Sequence, residues 1–289
     1  MNRTYRNNRV LVTGGSGFIG THASARLLAD RTLALTFVTR NPAALRRRFP
    51  DASYETLGID ILSESSWRSC DFSRYSRVLH MAWSRLDHFE HAEHLSLLLP
   101  RHLAFLENVL AQGAQSLAVT GTCLEYGLQE GPLHEDMPGA PVTAYGLAKD
   151  RLRCSLEQLH EKYSFTLQWI RLFYLFGPGQ QARSLLAQLD AALARGETQF
   201  EMSPGDQQRD YLPVGAMAER IVRIFLNGKF DGIVNCCSGV PITVRQLVER
   251  HLAERGARME LRLGSFRYPS YEPFAFWGDT ARLDAVLRG

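Results

Sequence analysis

Long apolar runs are missing from this chain, and so is any strong excess of one charge. No stretch approaches the roughly 20 consecutive apolar residues that a membrane-spanning helix needs, so no membrane span is expected. A net charge of +3 is too slight to argue for nucleic acid by itself, although a local anionic ligand stays open. Cysteine is sparse. Cys70, Cys123, Cys154, Cys236 and Cys237 show neither CxxC pairing nor the density of a secreted disulfide scaffold, so reduced thiols and a cytoplasmic location are expected. Adjacent Cys236 and Cys237 read as strand core. The N-terminal MNRTYRNNRV is basic, but it leads into VLVTGG and not into an apolar segment with a small-residue cleavage site. Internal repeats and low-complexity tracts are absent as well. What remains is an ordinary globular composition, 45% apolar and 22% charged, in a chain long enough for one large core or two smaller ones.

Short apolar runs alternate with helical patterns through the first half. Residues 9–13 and 35–39 read as strands, 22–30 and 99–112 as helices, and 75–82 ends in a strand. Residues 116–120 form a strand that enters the turn TGTCLEYG, a stretch whose Thr-Gly-Thr is by itself only a corner. Helical spacing returns over 145–163, and 165–176 (FTLQWIRLFYLF) reads as one central strand. This alternation predicts an α/β fold of βαβ units around a parallel sheet. Beyond Gly177 the helices 184–195 and 244–255 are separated by polar loops. A second, smaller lobe is expected over 177–289, with 231–238 returning to the sheet of the first unit, 1–176.

The segment VLVTGGSGFIG places Gly15, Gly17 and Gly20 as GxGxxG, and Gly14, Gly17 and Gly20 as GxxGxxG, between a strand and a helix. Glycines there let backbone N–H groups approach a pyrophosphate at a helix N-terminus; the plain alternative is a tight turn. The second strand ends in Thr39, Arg40 and Asn41, with no acid for a ribose diol. Arg40 is therefore the candidate for a 2′-phosphate, and NADP(H) is expected over NAD(H). Arg46, Arg47 and Arg48 either support it or form a solvated helix face. Asp60, with Ile61 beside it, borders the adenine or caps the helix before LSESSW. His80, Met81 and Ala82 end a strand where the middle of a dinucleotide would pass. His88, His91 and His94 are spread around a helix at a spacing that gives no metal site, and no metal is expected.

Tyr145 and Lys149 stand four apart on a helix and share one face. An isolated phenol is a poor acid at neutral pH, and a neighbouring ammonium lowers its pKa. At this point TGGSGFIG, TGTCLEYG, YGLAK, RLFYLFGPGQ, RDYLPV and FWGD together resemble the extended short-chain dehydrogenase/reductase family over nearly the whole chain. The resemblance implies a Rossmann-like, doubly wound parallel sheet, a smaller C-terminal substrate-binding lobe, and a homodimer packed through helices 99–112 and 145–163. It places Gly14, Gly17, Phe18, Ile19, Gly20, Asp60, Ile61, Met81 and Ala82 on the dinucleotide. It makes Thr122, Tyr145 and Lys149 the catalytic set, with Tyr145 and Lys149 also on the cofactor, and it sets Cys123, Tyr174 and Arg209 on a nucleotide-sugar substrate, with Arg209 at its pyrophosphate; the stretch from Arg267 to Trp277, read by itself, either covers the base of that substrate or forms the core of the lobe. A salt bridge to Asp210 or to a loop acid is the alternative for Arg209.

Departures from the family pattern narrow the reaction. Sugar 4,6-dehydratases carry Asp-Glu after the threonine; Cys123 and Leu124 stand there instead and cannot serve as acid and base. Tyr174 takes the place of a sugar-contacting Asn, and the Asn that the family carries before the catalytic strand is missing near Leu97. Within the family the chain looks most like deoxysugar 4-ketoreductases, those that form dTDP-6-deoxytalose among them. That implies NADPH-dependent reduction of a nucleotide-activated 4-keto-6-deoxyhexose. A nucleotide-sugar 4-epimerase and a non-catalytic NADP-binding sensor are the competing readings.

Overall fold

The computed structural model describes residues 8–289; the basic stretch 1–7 lies outside the described residues. The chain begins with β1 (Arg9–Thr13), in which Val10 and Val12 face one core and Leu11 the other. That two-sided burial is what an apolar run becomes when both sheet faces are covered. There follow α1 (Phe18–Ala29), β2 (Ala34–Val38), α2 (Pro42–Arg48), β3 (Glu55–Leu57), α3 (Glu64–Trp67) and β4 (Arg77–His80). Next come α4 (Leu99–Ala111), β5 (Ser116–Thr122), a short β6 (Gly131–Leu133), α5 (Ala144–Lys162) and β7 (Thr166–Leu172). The C-terminal part comprises β8 (Tyr174–Phe176), α6 (Leu185–Ala194), β9 (Gln199–Met202), β10 (Gln208–Pro213), α7 (Val214–Leu226) and β11 (Gly232–Cys236). It closes with β12 (Pro241–Thr243), α8 (Val244–Glu254), β13 (Glu260–Leu263), β14 (Phe276–Gly278) and α9 (Ala281–Arg288).

Seven strands form one parallel sheet in the order β3-β2-β1-β4-β5-β7-β11. One face is covered by α1, α2, α7 and α9 through Leu27, Leu45, Ile221 and Leu283, the other by α3, α4 and α5 through Trp67, Phe105, Leu106, Leu152 and Leu156. The sheet is therefore doubly wound, and its order reverses between β1 and β4, where the crevice for a ligand opens at the strand ends. A separate apolar cluster joins α6, β9 and α8 through Leu189, Phe200, Met202 and Val248. Small sheets β12-β10-β8, β13-β9 and β14-β6 complete this part.

Three local expectations change. The Thr-Gly-Thr of residues 120–122 is not a corner, because β5 runs on to Thr122 and pairs with β7 as far as Leu172. The turn is the 3₁₀ segment Cys123–Tyr126 that follows. The run 165–176 is not one strand: it breaks at Phe173, and β8 leaves the main sheet to pair with β10. Helix α1 starts at Phe18, directly after the glycine turn, rather than at His22.

Candidate active site

The glycine turn is shaped by what lies behind it. Gly14 has φ +74°, and a Cβ there would stand 2.5 Å from the backbone nitrogen of Ala82, at the end of β4. A Cβ on Gly20 would lie 1.9 Å from the carbonyl oxygen of Gly14, because α1 packs directly on the turn. Gly17 occupies the N-cap of α1, has no capping side chain, and donates its N–H to Gly14 O at 3.0 Å. The first N–H groups of α1 are thus presented at its N-terminus beside a cleft of about 300 Å³. Gly14, Gly17, Arg40, Asp60, Ile61, Met81 and Ala82 all line that cleft; Phe18, Ile19 and Gly20 form the first turn of α1 behind it. A bare backbone cradle, a helix N-terminus and a basic side chain at the far rim fit a dinucleotide.

For Gly20→Ala we expect binding of the nicotinamide dinucleotide to weaken by about tenfold to hundredfold, since the methyl displaces the turn that forms the cradle. Fluorescence titration, with circular dichroism as the control for folding, measures it.

Arg40 is exposed and makes no hydrogen bond or ion pair within the described residues. Arg46 does not stand behind it: its guanidinium donates to the carbonyls of Ala52 and Tyr54 and lies 4.0 Å over the Tyr54 ring. Asp60 is not a helix cap, since Ser63 holds that place before α3; its Oδ1 accepts from Leu62 N–H at 3.0 Å. His80 is buried and structural, hydrogen-bonded to Thr13 Oγ1 at 2.9 Å and to His102 Nδ1 at 2.8 Å. Burial pushes its pKa down to about 3, so it stays neutral. His94 is held by Trp83 and His88, and among the described residues no group of His, Cys, Asp and Glu could hold a metal ion.

Beyond the cleft, β5 and α5 bring the catalytic candidates together. Thr122 ends β5, and its hydroxyl faces the phenol of Tyr145 in the first turn of α5. Thr143 caps that helix by accepting from Gly146 N–H at 3.0 Å, and Tyr145 N–H donates to Phe89 O at 2.8 Å. The phenol ring stacks on Phe89, with centroids 5.4 Å apart, and has His94 at 5.3 Å. Burial, with Glu125 and Cys123 adding to it, pushes the Tyr145 phenol up against the opposing Thr122 bond. The lowering expected from Lys149 is not found, and burial holds Tyr145 as a protonated phenol. One turn along, Lys149 is only 2% exposed. Burial drives its pKa down to about 7 against the attraction of Glu125.

Glu125 is the residue that sequence reasoning passed over. Its side chain is 0% exposed and forms an ion pair with Arg171, itself 1% exposed, at 2.7 Å. It also accepts from Trp169 Nε1 and, at 2.8 Å, from Thr122 N–H, which fixes the backbone at the end of β5. The Thr-x-x-Glu capping box was the available signal.

On the substrate side, Cys123, Tyr174 and Arg209 share one buried cluster, and the residue that ties it together is Glu272. Arg209 Nη2 lies 3.0 Å from Glu272 Oε2, while the Tyr174 hydroxyl donates to Oε1 at 2.5 Å. The loop-acid alternative for Arg209 is thus realised, through Glu272. Asp210 serves instead as acceptor for Ser238 and Gly239 N–H groups. Arg267 is exposed and does not join this cluster; from the same segment Tyr271 does reach the site, edge-on to Phe89.

Residues 10–237 match the model of the NAD dependent epimerase/dehydratase family. The chain is 26% identical over 273 residues to a dTDP-6-deoxy-L-talose 4-dehydrogenase (NAD(+)) of Aggregatibacter actinomycetemcomitans, covering 93% of this chain and 98% of the relative. It is 29% identical to a dTDP-6-deoxy-L-talose 4-dehydrogenase (NAD(P)(+)) of Kitasatospora kifunensis, covering 88% and 81%. The fold is similar to that of a UDP-N-acetylglucosamine 4-epimerase from Methanobrevibacter ruminantium M1, with a TM-score of 0.82 at 20% identity over 97% of this chain and 92% of the other.

Proposed function

The chain belongs to the NAD-dependent epimerase/dehydratase family, and from that premise we propose that it is an NADPH-dependent reductase of a nucleotide-linked 4-keto-6-deoxyhexose, dTDP-linked in the first instance. One observation carries the reading. Thr122, a protonated Tyr145 and Lys149 gather behind Trp83, which lines the dinucleotide cleft and has the Tyr145 ring at 6.1 Å and the Lys149 Nζ at 4.4 Å, while the positions of a dehydratase acid and base hold buried Cys123 and Leu124. The curated relatives named as 4-dehydrogenases of dTDP-6-deoxy-L-talose support the substrate class.

Bound NADPH supplies the hydride that goes to the C4 carbon. The chain's own residues manage the oxygen. The Thr122 hydroxyl donates a hydrogen bond to the carbonyl oxygen and polarises it, and Tyr145 delivers its proton there as charge develops. Lys149 holds the nicotinamide ribose and offsets the phenolate left behind. Arg209 binds the diphosphate of the sugar nucleotide once it is released from its ion pair with Glu272, and residues 177–289 supply the substrate-binding lobe. The proposal places the protein in the cytoplasm, with its five free cysteines reduced, as a homodimer packed through α4 and α5.

Arg40 selects the cofactor. Arg40→Ala is expected to weaken NADPH binding by about tenfold to hundredfold and to leave NADH binding nearly unchanged, because only the 2′-phosphate contact is lost. Parallel titrations of the two nucleotides measure the ratio.

The activity itself is tested by incubating the protein with NADPH and dTDP-4-keto-6-deoxyglucose, with CDP- and GDP-linked sugars as further arms. Stoichiometric loss of the reduced cofactor supports the reductase. Sugar turnover without net loss assigns a 4-epimerase, and no turnover with any of the three leaves only a nucleotide-binding role.

A further inference from the structure

Lys149 is a buried ammonium without a conventional anchor. Its side chain is 2% exposed, yet within the described residues Nζ has no oxygen or nitrogen acceptor. The carboxylate of Glu125 attracts it from a distance, but that group is already engaged by Arg171, Trp169 and Thr122. What Nζ does have is the face of the Trp83 indole, 4.4 Å from the ring centroid, with Trp169 further off at 5.8 Å. That separation is well inside the range of a cation–π interaction, and tryptophan is the strongest partner for one.

The Trp83 ring is fixed on two counts. Its Nε1–H donates to His94 Nδ1 at 3.1 Å, and the ring stacks on His102 with centroids 4.4 Å apart. His94 is anchored in turn by donating from Nε2 to His88 O at 3.0 Å, so its neutral tautomer is the one that accepts from the indole. His94 opens the π-helical turn His94–Leu98 that leads into α4, the region where an Asn near Leu97 is missing.

We propose that Trp83 is the positioning residue of Lys149: its π face holds the ammonium where an oxygen acceptor is absent, and the His94–His88 chain holds the indole. The ammonium N–H groups are then left for the ribose hydroxyls of the nicotinamide half and for the phenol. The inference rests on the reading of Lys149 as part of a reducing site. The groups around the ammonium are few. His80 from β4 and His102 from α4 are buried and kept neutral, Tyr145 on α5 is protonated, and Glu125 after β5 is the single nearby carboxylate acting on it. Removing the indole face therefore removes the closest stabiliser of the charged form.

The chain contains three lysines, Lys149, Lys162 and Lys229, so the Cε signals of ¹³C-lysine-labelled protein can be followed individually through a pH titration. For cofactor-free Trp83→Leu we expect the Lys149 midpoint to fall by about one pH unit, with Lys162 and Lys229 unmoved. Trp83→Phe, which keeps a weaker face, falls about half as far. The alkaline limb of kcat shifts by the same amounts while KM for the sugar changes little. An unshifted Lys149 midpoint in folded Trp83→Phe overturns the proposal, and that conservative variant decides the matter if Trp83→Leu fails to fold. Because the titration needs no turnover, a shifted midpoint in a protein without reductase activity would sink the functional reading and leave the role of Trp83 standing.

Discussion

Replacing Tyr145 by phenylalanine is expected to lower kcat by roughly 10²–10⁴-fold, the usual contribution of a positioned general acid, while KM and thermal stability stay close to those of the wild type. The reason lies in how the side chain is held. Its ring is packed by Phe89, Trp83 and His94, contacts that phenylalanine keeps. Only the hydroxyl, which faces Thr122, is lost. Burial keeps that hydroxyl protonated, so the group removed is a proton donor and not a binding charge. Steady-state oxidation of NADPH at saturating sugar nucleotide, beside a thermal melt, separates the two quantities. A Tyr145→Phe enzyme with unchanged kcat would refute the assignment of the acid.

The second large effect is on stability. Glu125→Ala is expected to cost about 3–5 kcal/mol, because it leaves the Arg171 guanidinium buried without its anion. Among the described residues, Arg171 then retains a 3.5 Å contact with Glu135 O and the face of the Tyr126 ring, at 4.4 Å from the centroid. The same change deprives Thr122 N–H and Trp169 Nε1 of their acceptor and removes the capping box of the catalytic turn. Denaturant unfolding of the wild type and the variant measures it. A double variant, Glu125→Leu with Arg171→Met, recovers most of the loss, since no uncompensated charge then stays inside.

The parts of this molecule that chemistry requires at short sequence spacing could be read before the fold was known. The glycine turn, the Tyr145–Lys149 pair and the βαβ alternation each depend on neighbours within a few residues, and each is where its spacing placed it. What escaped notice depends on partners far along the chain. Trp83 meets Lys149 across 66 residues, and Glu272 reaches Arg209 from 63 residues away, so nothing local marks either contact. The break at Phe173 was hidden for a different reason: apolar residues continue on both sides, and hydrophobic content does not say which sheet a strand joins. Arg46 looked available because its partners are main-chain carbonyls, which every sequence contains.

The cluster formed by Tyr174, Glu272 and Arg209 also has a gauge of local opening beside it. Next to Thr122, and within the electrostatic reach of Glu272 and Arg209, lies the thiol of Cys123, buried and with its ionisation suppressed. Such a thiol resists alkylation while it stays buried, and it gains reactivity only in those moments when local opening admits solvent. The rate at which this one sulfur is consumed therefore clocks how often the end of β5 opens locally.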